Sequence, residues 1–563
     1  MHKGGSPAIQ LKRGRGFAKA IGGRQNEGMS SEDLIRILIQ GGLFLGAIVL
    51  GVFIAPENPV LVLGVCLGLF LFIGLGRLGR NMWILFPITS GFTGTIHFIP
   101  GGLSLFQIVC FLLVVTSVYL LKADPTFRIR LGPPWIFWPF LLINMILAYN
   151  WIKGRDLGLN LFGSSKVGGK GYLGCILPFL GYVAAISMYR PGSVHDTRLP
   201  LYVLSGYIFD AGVFVVSTLV PAAAFYIFRF YDAVNIEAFQ AVGVSQTAAI
   251  SEGFVLRFHK CGQLAYVLAA ALQVYLPFSR WWGLPNILIG PPLFALSALL
   301  SLISGFRNFL VRFVIVTTIG IWQSFRIFSL FLVLPVVLGV TVLCAGQGNL
   351  FELPLVVQRT LVFLPGKWDR AMAKAAEESF DFRKEIRRVY FSEFFRKDNY
   401  LGEGFLFARD DLEFSQEQYW RKVGYQRTED KDAPIRAFIT RRQHHEGVVN
   451  IHHLAGHVGF LVWAIFGFLA LIQCGRYLLR TPLGPETVSG HFGATLTVVM
   501  VLTYWFLFGS LKEAVGETLS YLFCLTSALT LARQRIPQTV PVDAPAPFAV
   551  PAPVMPWQHP RSS

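Results

Sequence analysis

Long apolar runs, each closed by a short polar or glycine–proline stretch, dominate this chain. They fall at about residues 35–55, 58–76, 82–98, 104–121, 133–150, 171–189, 200–221, 262–279, 285–303, 308–322 and 327–346. After a long polar interval they resume at 457–474, 491–510 and 513–532. Runs of roughly 18–20 apolar residues match the ~30 Å hydrocarbon core of a bilayer when helical. Backbone groups in lipid must be paired within the segment, so the pattern predicts helices. The expected fold is all-α, a polytopic membrane protein with about 12–14 transmembrane helices. Segments 82–98 and 285–322 fit least well, because ThrSerGly, ThrGlyThr, GlyProPro and SerGly interrupt them.

The polar interval, 347–456, is too long for a plain connection. Residues 369–396 have few Gly or Pro and carry spaced apolar positions at Phe382, Ile386, Val389 and Tyr390, which predicts a surface or re-entrant helix. The expected organisation is a basic tail (1–34), transmembrane helices 1–11 (35–346), the large helical loop (347–456), helices 12–14 (457–532) and a Pro-rich tail (533–563). Eight prolines between 537 and 563 prevent a packed core there.

Charge refines this picture. The net charge of +17 would suggest nucleic acid in a soluble protein. Here the excess lies in the N-terminal tail and in short loops, no nucleic-acid reader motif accompanies it, and no nucleic-acid partner is expected. The N-terminal stretch has no apolar core close behind its basic start, unlike a cleaved signal peptide. Lys and Arg concentrate at cytoplasmic helix ends. With the N-terminus inside, most basic loops fall inside, and both termini are expected in the cytoplasm with the large loop outside. Loops 151–170 and 222–261, and Lys512, are exceptions. The seven cysteines lie in or beside apolar runs and form neither a disulfide framework nor a CxxC metal site.

The loop itself is nearly neutral, with 18 Lys and Arg against 17 Asp and Glu between residues 347 and 456. Any anion site in it must therefore be local. Arg383 and Arg387 share a helix face, and guanidinium groups bind phosphate oxygens in a planar, bidentate way. The plainer alternative is a solvated face with ion pairs to Asp381 and Glu385. Arg307 follows SerGlyPhe at the start of an apolar run, and Arg312 lies deeper in it. Cations within spans are costly and mark candidate function, whereas snorkelling or an Arg312–Asp210 ion pair would be structural. Five of the eleven histidines, His444, His445, His452, His453 and His457, fall within 14 residues. Their spacing fits no zinc signature, so no metal is expected; a histidine of near-neutral pKa can instead serve as a general base.

At these residues the chain resembles the O-antigen ligase and O-antigen polymerase family, bacterial membrane glycosyltransferases. His445, Glu446, nine residues, Gly456 and Gly459 match the family spacing of His, then Asn, Ser or Gln, nine residues, Gly, two residues, and Gly, Thr or Tyr. SerGlyPheArg at 304–307 is similar to the family's Ser–Arg helix start. Arg383 followed by LeuGlyGluGlyPhe at 401–405 resembles its Arg-then-GlyxGly order. Two departures stand out: Glu446 replaces the usual amide or hydroxyl residue, and Phe306 stands where Ser is frequent.

The resemblance implies an undecaprenyl-pyrophosphate-linked glycan donor and a glycan or lipid A-core acceptor in the bacterial inner membrane, with membrane lipids as surroundings. It implies that the large loop is periplasmic and that no cofactor is needed. His445 would be the catalytic base and Arg307, Arg383 and Arg387 would bind the pyrophosphate, with His444, Glu446, Gly447, Gly456 and Gly459 in support. A polysaccharide or lipid-linked glycan transporter or flippase is the competing expectation, and it predicts charges on several midplane helices.

Overall fold

A computed structural model describes residues 79–96, 103–153, 169–192, 195–220, 224, 227, 231, 257–395, 398–405, 435–436, 439, 446–505 and 511–535. The chain divides into two units, Met1–Gly79 and Arg80–Ser563, and all described residues except Gly79 belong to the second. The described residues are helical, with isolated β-bridges and no strand. Eight of their helices are long and apolar enough to cross a membrane, so this is a multi-pass membrane protein.

The long helices are α1 (Leu105–Ala123), α2 (Pro134–Lys153), α3 (Lys170–Met188), α4 (Leu199–Leu219), α5 (His259–Tyr275), α6 (Asn286–Ile303), α7 (Arg307–Phe325) and α8 (Val333–Gly346). Two loop helices follow, the short α9 (Leu355–Leu361) and the longer α10 (Arg370–Val389). The chain then forms α11 (Gly447–Arg480), α12 (Val488–Val499) and α13 (Leu511–Arg535). Expected segments 35–55 and 58–76 lie outside the described residues. Segment 82–98 is not a single span: a 3₁₀ turn and a short α-helix, Leu85–Thr89, end within the ThrSerGly interruption. The run at 327–346 begins as a 3₁₀ stretch, and the run from 491 passes into a π-helix at Met500–Trp505. The last loop-to-span boundary also differs. Helix α11 starts at Gly447, ten residues ahead of the start expected at 457, and is broken at Gly456.

Helix α13 is the centre of the bundle, packed against α3 and α12 and touching α4. Its surroundings are protein on every side, and its sequence accordingly carries Glu517, Thr518, Ser520, Tyr521, Thr526 and Ser527, all buried. Small residues let its neighbours approach: a Cβ on Gly493 of α12 would sit 2.4 Å from the Tyr521 carbonyl oxygen. Buried hydroxyls find partners across helices, Tyr207 with Tyr521 at 2.7 Å and Tyr182 with Thr526 at 3.1 Å. The outward faces are the reverse, with Phe111, Trp138, Met145, Phe209, Leu288 and Phe468 exposed. Apolar outside and polar inside is the pattern that lipid selects. The six described cysteines are free and buried.

The alternative of an Arg312–Asp210 pair is not what the structure shows. Asp210 bonds instead to Lys260 at 2.9 Å and accepts from Thr93 and Tyr231. Arg312, fully buried, donates to Thr503 and to the Tyr266 hydroxyl. Sequence spacing alone does not bring Lys260 to mind, because it precedes the apolar run of α5. Removing one partner of a buried pair leaves the other charge uncompensated, at a cost of about 3–5 kcal/mol. We therefore expect Lys260→Met to destabilise the solubilised protein by about that amount in thermal unfolding, and added Asp210→Asn to recover part of it. Equal destabilisation by single and double variants would contradict the coupling.

Candidate active site

Five helix starts, Lys170, His259, Arg307, Gly447 and Leu511, gather at one end of the bundle. Direct contacts tie them together. Leu511 N donates to Asn450 Oδ1 of α11 at 2.8 Å. The His259 ring lies 6.4 Å from that of Phe306, the residue before Arg307. Phe405 packs on Gly171 and donates its N–H to the Tyr172 hydroxyl. Helix ends at Lys153, Leu219 and Ile303 share this face, so the helix dipoles offset there and any preference for anions rests on side chains.

Arg307 opens α7 because the chain turns sharply there. Gly305 has φ +72°, which permits the reversal between α6 and α7, and Ser304 Oγ accepts from Phe306 N. The loop is pinned to the same turn, with Thr360 of α9 donating to Leu302 O at 3.0 Å. Helix α10 follows, capped by Asp369, whose side chain accepts from Ala371 N and Met372 N. Its apolar face buries Ile386 and Val389, with Tyr390 just beyond, against Val449 of α11 and the described Ile435 and Ile439. The expected helix is therefore present, but Phe382 is not on its buried face, and the chain continues as a π-turn to Phe394.

This packing sets Arg383 and Arg387 beside the start of α11. Arg387 Nε bonds to Glu446 Oε1 at 3.0 Å. Glu385 pairs with Arg388, so the local ion-pair alternative does not describe Arg387. Arg383 feels the Glu446 and Arg387 charges, and its own charge acts on Arg307. Arg307, Arg383, Arg387 and Glu446, from three separate stretches of sequence, thus share one electrostatic site holding three cations and one carboxylate. Arg257, which sequence reasoning passed over as a loop residue, lies over the Phe306 ring at 5.3 Å and extends the basic surface. His444 and His445 lie outside the described residues.

Gly447 is the first residue of α11, and Glu446 stands at its N-cap without capping it by its side chain. Burial raises the Glu446 carboxyl above its ordinary value, and Arg387 and Arg383 oppose that rise. A carboxyl with a raised folded-state pKa contributes stability that is present at low pH and lost as pH rises through that pKa. The same protonation frees Arg387 and removes a negative charge from the site. We expect an anionic diphosphate diester, whose charge is constant over this range, to bind more tightly as pH falls through the Glu446 pKa. In Glu446→Gln the affinity should be high throughout and the pH dependence lost. Binding isotherms at several pH values check this, and an unchanged slope in Glu446→Gln would count against it.

The GlyxGly stretch and Gly456 prove to be halves of one device. Gly456 breaks α11, and residues 399–404 lie along the break. Glu403 N and Gly404 N donate to the carbonyls of His453 and Leu454, while His457 N and Val458 N donate to those of Asn399 and Tyr400. Asn150 Nδ2 of α2 bridges Leu401 O and Leu454 O at 2.7 and 3.2 Å. Gly402 and Gly404 both have positive φ. Gly459 packs one turn below, where a Cβ would lie 2.2 Å from Ala455 Cβ.

Three of the clustered histidines hold this clasp. His453 Nε2 meets Glu403 Oε2 at 3.1 Å, His452 Nδ1 meets the Tyr390 hydroxyl at 2.6 Å, and His452 Nε2 meets His457 Nδ1 at 3.0 Å. Among the described residues, no group of three or more His, Cys, Asp or Glu is arranged to hold a metal ion. Their chemistry is spent on each other and on Tyr390 and Glu403. Neither a family model nor a curated protein matches this chain.

Proposed function

We propose that this protein is a membrane glycosyltransferase that polymerises or ligates O-antigen-like polysaccharide units from an undecaprenyl diphosphate donor. The observation that carries the reading is the meeting of Arg307, Arg383 and Arg387 at the helix-start end of an apolar bundle. A lipid-linked diphosphate needs its chain in the bilayer and its charges at the interface. Opposite this end, the helix termini and connections carry Arg128, Arg130, Arg198, Arg280, Arg326 and Arg480. Basic residues favour the cytoplasmic side, which supports a periplasmic site in the bacterial inner membrane.

In this reading the guanidinium groups bind the diphosphate and neutralise the charge that grows on it, work that a divalent cation does elsewhere. The acceptor hydroxyl loses its proton to His445, one residue before Glu446. Its oxygen bonds to the anomeric carbon as the bond from that carbon to the diphosphate oxygen breaks. The electron pair leaves with the diphosphate, and the sugar inverts. General-base removal typically costs 10²–10⁴-fold. His445→Ala should therefore lower glycan transfer in membrane vesicles by at least about a hundredfold, with binding of the lipid-linked glycan intact. Full transfer in that variant would refute the assignment.

Transport remains the second reading because one observation favours it. Asp210, Lys260, Arg312 and Glu517 are all buried within the helical bundle, and such charges often line substrate pathways. Reconstituted vesicles separate the two: transport moves lipid-linked glycan across the bilayer with no new covalent product.

A further inference from the structure

Between α1, α3, α5 and α13 lies a cavity of about 380 Å³, within the range of small-molecule sites. One of its walls carries His259, which contacts Phe306 ahead of Arg307. Another carries Lys170, next to the Gly171 on which Phe405 of the clasp packs. It is therefore flanked by both halves of the candidate active site, yet none of the residues assigned to the diphosphate lines it.

The lining defines what it can hold. Charges of both signs are present and offset one another. Lys260 is paired with Asp210, and Glu517 accepts from Tyr266, which in turn receives Arg312. A bare anion would face Glu517, and a bare cation would face Lys170 and Lys260. Net-neutral, multiply hydrogen-bonding ligands suit such a wall best.

Two amides sharpen this. Gln107 uses its Oε1 to accept from Ser104 N, leaving its Nε2 to donate. Gln263 lends its Nε2 to Glu517 Oε1 at 3.5 Å, and its buried Oε1 has no partner. Leaving a buried acceptor unpaired is costly, so a turn of the Gln263 side chain toward a ligand hydroxyl would be rewarded. Phe92 and Phe106 add apolar surface. Donors, an orphan acceptor and aromatic faces around a neutral space match a pyranose ring, with hydroxyls at its rim and C–H groups on its faces.

We propose that this cavity is a sugar subsite, holding a glycan ring beside the diphosphate site. The identity of the ring as part of a transferred glycan rests on the glycosyl-transfer reading; the carbohydrate chemistry of the cavity does not. Thr95 also lines the cavity, and the test uses the full-length protein in lipid nanodiscs carrying Thr95→Cys, with thiol alkylation of the wild type subtracted. Lipid-linked glycan extracted from bacterial membranes should slow alkylation several-fold, and bare undecaprenyl diphosphate should not. Equal protection by both would give the cavity to the carrier lipid and overturn the proposal, as would protection by neither. As a second measurement, Gln263→Leu should raise KM for the lipid-linked glycan about tenfold while binding of bare undecaprenyl diphosphate is unchanged; an unaltered KM would overturn the proposal. If Arg383→Ala leaves binding of bare undecaprenyl diphosphate intact, the diphosphate reading fails while glycan-specific protection of Thr95→Cys still upholds the subsite.

Discussion

Arg383→Ala is expected to lower glycan transfer by about a hundred- to a thousandfold, the usual loss when a preorganised donor to a developing negative charge is removed. Its effect on stability should be the opposite of its effect on activity. Arg383 and Arg387 face one carboxylate, Glu446, whose hydrogen-bonded partner is Arg387, and Arg307 feels the Arg383 charge. Burial, the largest influence on Arg383, works against its charge; Glu446 works for it, and Arg387 again against it. Without a bound anion, cations held this close repel, and removing one should leave thermal stability unchanged or slightly raised. Arg383→Lys keeps the charge but loses the planar fork, so it should recover only part of the transfer rate. The measurements are initial rates with a lipid-linked donor and unfolding temperature on the same preparation. A variant that is inactive because it is unfolded would assign Arg383 to the scaffold instead.

How much of this was legible in the sequence follows from the physics of each feature. The spans were readable because lipid imposes one periodicity and one minimum length, and α1, α2, α3 and α4 begin and end close to the apolar runs. The loop helix was readable from Ile386 and Val389, whose spacing selects the face that packs. Partners were another matter. Glu446 stands 59 positions after Arg387, and Lys260 stands 50 after Asp210, so no local spacing rule could pair them. The clustered histidines were visible, but their partners were not. His452, His453 and His457 serve the clasp, and only contact with Tyr390 and Glu403 reveals it. The glycines were visible as motif positions, but their purpose required seeing Gly402 against Gly456.

That contact yields the largest expected effect on folding, from Gly456→Ala. Gly456 has φ +67° and ψ −165°, a region populated essentially by glycine. A Cβ there would also lie 2.4 Å from Gly402 N and 2.5 Å from the Tyr400 carbonyl carbon and oxygen. These are backbone atoms that cannot swing aside. Either the clasp opens and the four main-chain hydrogen bonds across the break are lost, or α11 straightens and Glu446 leaves Arg387. We expect a loss of at least about 3 kcal/mol, since the strain alone is worth about 1–3 kcal/mol and the contacts add to it. Gly475→Ala is the matched control on the same helix, because nothing lies within 4 Å of its added Cβ. It should be neutral or stabilising by up to about 1 kcal/mol. Thermal unfolding of both variants, with limited proteolysis of the 347–446 loop, separates the outcomes. An unfolding temperature and cleavage pattern for Gly456→Ala equal to those of the unmodified chain would mean that the break in α11 does not hold the loop in register, and the basis for bringing Arg383 and Arg387 to Glu446 would go with it.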